Sequence, residues 1–296
     1  MFYITSIKTF CKSNKIDDAK RNAGLVTPDD IERFDNRRYG DHRTRNILDV
    51  YRPKNKKGKL PVIVSIHGGG WVYGNKEIMQ FYCMNLAQKG FAVVNFNYRL
   101  APNHKHPTSL VDANKVFKWI FRHAEDYGFD TNNIFAVGDS VGATNLGLYC
   151  YACTNEEYAK ELGIEPPKGF LPRAIGLNCG LFTLERGKEL LIDNCACEYL
   201  PNGGTDEEFR SLSLNEHINN RFPPCFILTA KGDFLVVQDE PFYQQLKALG
   251  VEVEYHCYGT DENPLRHVFH IDIRLKEAKI ANEEECAFFL RHCVNQ

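Results

Sequence analysis

A chain of 296 residues, 43% hydrophobic and 25% charged, has the composition of a soluble globular protein and can bury about three quarters of its unfolded surface. A formal net charge of −2 gives nucleic acid or an anionic membrane no electrostatic handle, so neither is expected as a partner and small molecules are. Eleven cysteines, an odd number, read as reduced thiols rather than a disulfide framework. Cys179 and Cys225 fall in strand-like runs as core filler, and the spacing of Cys195, Cys197 and His217 fits no common zinc site.

In chain order, residues 1–10 mix Lys8 with polar side chains and are too short and broken for a secretory apolar region or a membrane span, so the cytoplasm is the default compartment. From Leu60 onward, apolar runs alternate with amphipathic stretches, the pattern of an α/β protein with a mostly parallel sheet and helices on both faces. Strands are predicted at 62–66, 91–95, 134–137, 174–177, 225–230 and 251–258, with a solvated loop at 54–59. Five of these runs are continuously apolar. The run Val251-Glu252-Val253-Glu254-Tyr255 alternates and is predicted at the sheet's edge.

Ala113, Val116, Phe117, Ile120 and Ala124 recur at helical spacing and predict a helix stopped near Gly128. Ile78, Phe81, Tyr82 and Leu86 predict a second, and Phe242, Leu246 and Leu249 a third, with Gly90 and Gly250 in their C′ positions. Asp239 is the expected N-cap of the third. Cys286, Phe289, Leu290 and Cys293 supply the stripe of a final helix. Residues 1–40 and 183–223 do not fit the alternation, and an insertion of that length is not expected as a bare loop. Both are predicted to pack together as a cap over the site of one domain spanning 1–296.

Two motifs carry chemistry. His67-Gly68-Gly69-Gly70-Trp71 follows a buried strand with three residues lacking a Cβ, so that main-chain N–H groups can approach a substrate atom. Gly138-Asp139-Ser140-Val141-Gly142 is a G-x-S-x-G turn between a strand and the helix-like 143–149, the setting of a serine nucleophile. The five-residue string alone is weak; its context and the rarer glycine run give it weight. A serine hydroxyl needs a base, and the base needs a carboxylate to fix its tautomer. In this order of residues Asp233, after the strand 225–230, is the acid, and His267, in the loop after the last strand, is the base. His270 is the rival base but is expected in the final helix, His256 reads as a structural edge residue, and His67 as a brace for the glycine loop. A metal set of His267, His270 and Asp272 is the weaker reading of the same region.

The glycine run, Ser140, Asp233 and His267, together with Tyr98-Arg99-Leu100-Ala101-Pro102 and Pro107, resemble the hormone-sensitive-lipase-like family of α/β-hydrolase carboxylesterases from about Leu48 to the C-terminus. The resemblance implies an oxyanion hole formed by the N–H groups of Gly69, Gly70 and Val141, and a cap made from the N-terminus and a later insertion. Gly68, Trp71 and Asp139 flank these groups and are expected to contact substrate. Three departures stand out. Val141 replaces a smaller alanine and implies a tighter acyl pocket. Ala143 replaces a second glycine, and Val236 and Val237 stand where a second aspartate usually braces the acid loop. The His-Gly-Phe in which the histidine of that family usually stands is matched by His267-Val268-Phe269.

The function expected is a cytoplasmic serine carboxylesterase acting on short-chain, acetyl-like esters of small molecules, acetylated carbohydrates among them, through an acyl-enzyme. No metal or organic cofactor is expected, and a homodimer stays open. Alternatives are an amidase, arylformamidase or peptidase on the same machinery, and a non-catalytic small-molecule receptor. Nucleotide binding is weaker, since 68–76 fits neither the dinucleotide nor the P-loop spacing.

Overall fold

The computed structural model describes residues 6–188 and 190–294. Among them, β1 (Ile31–Arg38), β2 (Ile47–Pro53), β3 (Leu60–Ile66), β4 (Ala92–Phe96), β5 (Phe129–Asp139), β6 (Ile175–Asn178), β7 (Cys225–Ala230) and β8 (Val253–Tyr258) form one sheet. Its order is β1-β2-β4-β3-β5-β6-β7-β8. The pairs β1/β2 and β2/β4 are antiparallel, and every later pair is parallel. Helices α1 (Ile7–Asn22), α2 (Lys76–Gln88), α3 (Thr108–Arg122), α4 (Ala124–Tyr127), α5 (Val141–Thr154), α6 (Glu156–Glu161), α7 (Leu190–Tyr199), α8 (Asp206–Leu212), α9 (Asp239–Ala248) and α10 (Lys276–Arg291) occupy the connections and ends.

The continuously apolar strands are covered on both faces, which is why they show no polar alternation. In β3, Val62, Val64 and Ile66 join a core with Val116 and Phe117 of α3, Leu146 of α5 and Leu246 of α9. Ile63 points the other way, into a second core with Met79 of α2 and Phe289 of α10. The same alternation separates Ile227 from Phe226 and Leu228 in β7. β8 lies at the edge, as its alternating sequence predicts.

The structure corrects several expectations. β1 and β2 lie outside the predicted strands. β1 is an exposed, mostly polar edge strand, so residues 31–38, expected in the cap, belong to the sheet. β2 was hidden by Asp49, whose buried carboxylate is neutralised by the Lys76 ammonium at 3.0 Å and also accepts from the Tyr51 hydroxyl. The helix predicted to stop near Gly128 ends at Arg122, and a separate turn, α4, runs into the left-handed Gly128. Leu290 is on the exposed side of α10. His270 lies in a 3-10 turn before α10 rather than within it, and Asp239 is the first residue of α9 with its carboxyl buried rather than capping. The expectation for residues 1–10 falls partly outside the described residues. No helix among those described is long and apolar enough to cross a membrane.

All eleven cysteines are free thiols. Cys150 and Cys153 are one turn apart on α5, and burial raises both well above the usual thiol range. Cys197 packs near Gly204, while His217 stacks on Tyr158, so the residues considered for zinc serve packing.

α10 carries Glu285 fully buried beneath the sheet, where Tyr82 donates to it and Asn178 donates to Tyr82. Burial pushes the Glu285 carboxyl from its ordinary 4.5 to about 7, partly opposed by those hydrogen bonds. The folded chain therefore holds a proton there that the unfolded chain releases, and stability falls as pH rises from about 4.5 through about 7. Glu285→Gln removes this dependence. Its melting temperature should exceed that of the unsubstituted protein at pH 8 by about 5 °C, with the gap closing at pH 4. Thermal unfolding followed by circular dichroism checks this, and an equal shift at both pH values would contradict it.

Candidate active site

The carboxyl ends of β3, β5, β6 and β7 open on a cavity of about 270 Å³. β5 runs through Asp139, and Ser140 then turns the chain sharply into α5 with φ 53° and ψ −122°. This is a strained conformation for a residue with a Cβ. It is fixed by the Ser140 N–H donating to Asn178 O at 2.9 Å. Ser140 thus caps the N-terminus of α5, where the helix dipole favours negative charge.

Opposite lies the glycine loop. Gly68 donates its N–H to Asp139 Oδ1 at 3.1 Å. Gly69 and Gly70 have φ of 102° and 61°, backbone that L side chains rarely adopt. Among the described residues, the N–H groups of Gly69, Gly70 and Val141 donate to no protein acceptor, and all three residues line the cavity. The three residues expected to form an oxyanion hole are thus brought together at one cavity. Val141 is almost fully buried, so its side chain forms the cavity floor.

Trp71 departs from its expected role. It is fully buried and absent from the cavity wall. Its indole N–H donates to Asn145 Oδ1 at 3.0 Å, and its ring stacks on Tyr199 at 5.1 Å and 2°. It anchors the glycine loop to α5 and α7, because a large aromatic beside three glycines supplies the packing they lack. Asp139 reaches the cavity but spends one carboxylate oxygen on the glycine loop, and burial raises its carboxyl to about 6. His67 is a brace, as expected. It is buried, stacked 4.2 Å from Tyr98 and bonded to Gly68 O, and burial lowers its pKa to about 3, leaving it neutral.

Asp233 and His267 meet although 34 residues separate them. A parallel bridge pairs Gly232 with Arg266, the residue before each, so the two loops are pinned one step away from the two side chains. His267 Nδ1 lies 2.9 Å from both Asp233 oxygens, and Leu235 N–H donates to Oδ1 at 2.8 Å. Burial raises the Asp233 carboxyl, but the bond and charge of His267 and the Leu235 amide outweigh it, leaving a net lowering. Ser140 and His267 line the same cavity. Among the described residues their hydroxyl and imidazole are not hydrogen-bonded to each other, and such contacts often tighten only with substrate bound.

The outer wall comes from within the two segments expected over the site, but sequence reasoning singled out none of its residues. Ser13, Asn14, Asp17, Asp18 and Arg21 of α1 recur at helical spacing along one face and line the cavity, as do Leu191 and Ile192 of α7. A polar face turned inward escapes any search for an apolar stripe. Sequence reasoning missed equally Phe234, whose ring lies 4.7 Å from His267. The metal donors that converge among the described residues are Cys179, Asp233 and His267, within 4.8 Å of one another. The set His267, His270 and Asp272 is not assembled, and His270 is instead buried against Tyr82.

Comparison with known proteins gives a consistent picture. The family model described as BD-FAE matches residues 48–165. The versiconal hemiacetal acetate esterase of Dothistroma septosporum is 35% identical over 246 residues, covering 78% of this chain and 73% of that protein. The ethyl acetate hydrolase of Pseudomonas putida is 38% identical over 216 residues, covering 69% and 66%. Other curated relatives are longer, and the match spans 48% to 63% of the length of three of them. The crystal structure of esterase B from Lactobacillus rhamnosus superposes with a TM-score of 0.87, covering 97% of this chain and 93% of that one at 21% identity, a likeness of fold.

Gly68 has no room for a side chain. A Cβ there would lie 2.5 Å from Asp139 Oδ2, 2.7 Å from the Asp139 carbonyl oxygen and 3.0 Å from Ser140 Cβ. Gly68→Ala should therefore destabilise the fold by about 1–3 kcal/mol. Urea denaturation measures this, and an unchanged midpoint would show that the two main chains are not in contact.

Proposed function

The chain belongs to the hormone-sensitive-lipase-like family of α/β-hydrolase carboxylesterases, and on that premise we propose that it hydrolyses short-chain, acetyl-like esters of small molecules through a covalent acyl-enzyme. The observation that carries this reading is the doubly accepted 2.9 Å contact of His267 with Asp233, in the same cavity as the strained Ser140.

Ser140 Oγ attacks the ester carbonyl while His267 Nε2 takes its proton. Asp233 holds the Nδ1–H and stabilises the imidazolium. The oxyanion is received by the N–H groups of Gly69, Gly70 and Val141, each worth about 10²–10³ in rate. His267 then gives its proton to the departing alcohol, and water activated by the same imidazole releases the acid. No residue of this sequence of steps calls for a cofactor.

In this reading α1 and α7 form the cap, since both contribute to the outer wall of the cavity. Two relatives are named for acetate esters, which supports a short acyl group, as does Val141 beside the serine. The polar side chains that α1 turns inward suit a hydroxylated alcohol half, such as an acetylated sugar. The eleven free thiols suit the reducing cytoplasm.

Ser140→Ala should lower kcat on nitrophenyl acetate by more than about 10⁴-fold, and Asp233→Asn by about 10⁴-fold, with folding retained. Retention of most activity by Ser140→Ala would refute the assignment. Across nitrophenyl esters from acetate to decanoate, kcat/KM should be highest at the short end. A decanoate rate above the acetate rate would refute the short-acyl preference while leaving the mechanism intact.

A further inference from the structure

Val268 is the outlier in the cavity wall. It follows His267 directly, lines the cavity and has left-handed backbone, with φ 54° and ψ 33°. For a β-branched residue this crowds Cβ against the carbonyl oxygen, a crowding that glycine escapes. Such strain persists only where the surroundings hold it in place. Here the Val268 N–H donates to the buried Cys179 Sγ at 3.3 Å, and its carbonyl accepts from the Ile271 N–H at 3.2 Å. Both bonds are main-chain bonds on the Val268 side, so glycine would make them without the strain. What glycine would not supply is a branched side chain, half-buried at the cavity wall and packed on its other side against the second core.

The chemistry at His267 identifies which half of the ester meets that group. The imidazole that takes the serine proton returns it to the leaving oxygen, so the leaving oxygen lies at His267. The oxyanion lies across the reacting carbon, at Gly69, Gly70 and Val141. The substituent on the leaving oxygen then passes the residues flanking His267, namely Val268, Phe234 and Ile271 of the cavity wall.

We propose that Val268 is a specificity-determining residue whose isopropyl group limits bulk at the carbon that bears the leaving oxygen, selecting an unbranched carbinol carbon, such as that of ethanol or of a primary sugar hydroxyl, over branched or fused-ring ones. The proposal rests on the ester-hydrolase reading above.

The test holds the acyl group at acetate and varies the alcohol. Ethyl, cyclohexyl and 1-naphthyl acetate are assayed with the unsubstituted protein and with Val268→Gly, Val268→Ala and Val268→Leu. Rates are normalised to the sites labelled by a fluorophosphonate, so that misfolded protein does not count. The ratio of kcat/KM for 1-naphthyl acetate to that for ethyl acetate should rise about tenfold in Val268→Ala. It should rise at least as far in Val268→Gly and fall in Val268→Leu, while the acyl-length profile on nitrophenyl esters stays that of the unsubstituted protein. Alanine keeps the left-handed strain and glycine relieves it, so a change confined to Val268→Gly would assign the effect to backbone and overturn the proposal. A changed acyl profile with an unchanged alcohol ratio, or no change at all, would overturn it equally. Failure of the unsubstituted protein to label or to hydrolyse any of these esters would instead sink the ester-hydrolase reading on which it rests.

Discussion

At the carboxyl edge of the sheet the main chains leaving β3 and β5 touch, and the site's geometry follows from how closely they do so. Gly68 rests against Asp139 and Ser140, and Gly142 against the carbonyls of Ile66 and His67. Any Cβ at either position would separate the loop that offers free N–H groups from the turn that offers a hydroxyl. The Gly68 N–H to Asp139 bond then fixes the distance, and Trp71 locks the far end of the loop into the core. Donors held in place before substrate arrives need no reorganisation when charge develops, which is where such sites gain most of their rate.

Directly behind this edge the interior is polar. Asp139, Asn178, Tyr82 and Glu285 follow one another inward from the cavity, with His67 and His270 to either side, all buried. Burial keeps both histidines neutral and raises Asp139 and Glu285 toward neutrality, so few bare charges are left in the low-dielectric interior. Asp233 is the contrast. It is just as hidden but remains ionised because His267 and the Leu235 amide compensate it. One carboxylate kept charged beside an imidazole, among neighbours driven toward their neutral forms, concentrates the field on the ring of His267, the base of the proposed reaction.

The departures from the family motifs cluster at this same place. The Leu235 amide donates to Asp233, and the Cys179 sulfur ties down the turn after His267. Val141 and Val268, both lining the cavity, stand where the motifs of the family carry smaller residues.

The alternation of apolar runs with amphipathic stretches determined the sheet and its two covered faces, because period and burial are local properties of a chain. The glycine run and the serine turn were legible for the same reason, since close backbone approach leaves a mark in composition. Asp233 and His267 could be selected by order along the chain, but their 2.9 Å contact depends on the Gly232 to Arg266 bridge, a pairing between distant segments. β1 and β2 escaped notice because an exposed edge and a buried ion pair both erase the apolar signal. Trp71 is a core anchor and α1 a polar wall only because of what packs against them. Tertiary structure decided these points, since a side chain's exposure is set by neighbours that lie far away in sequence.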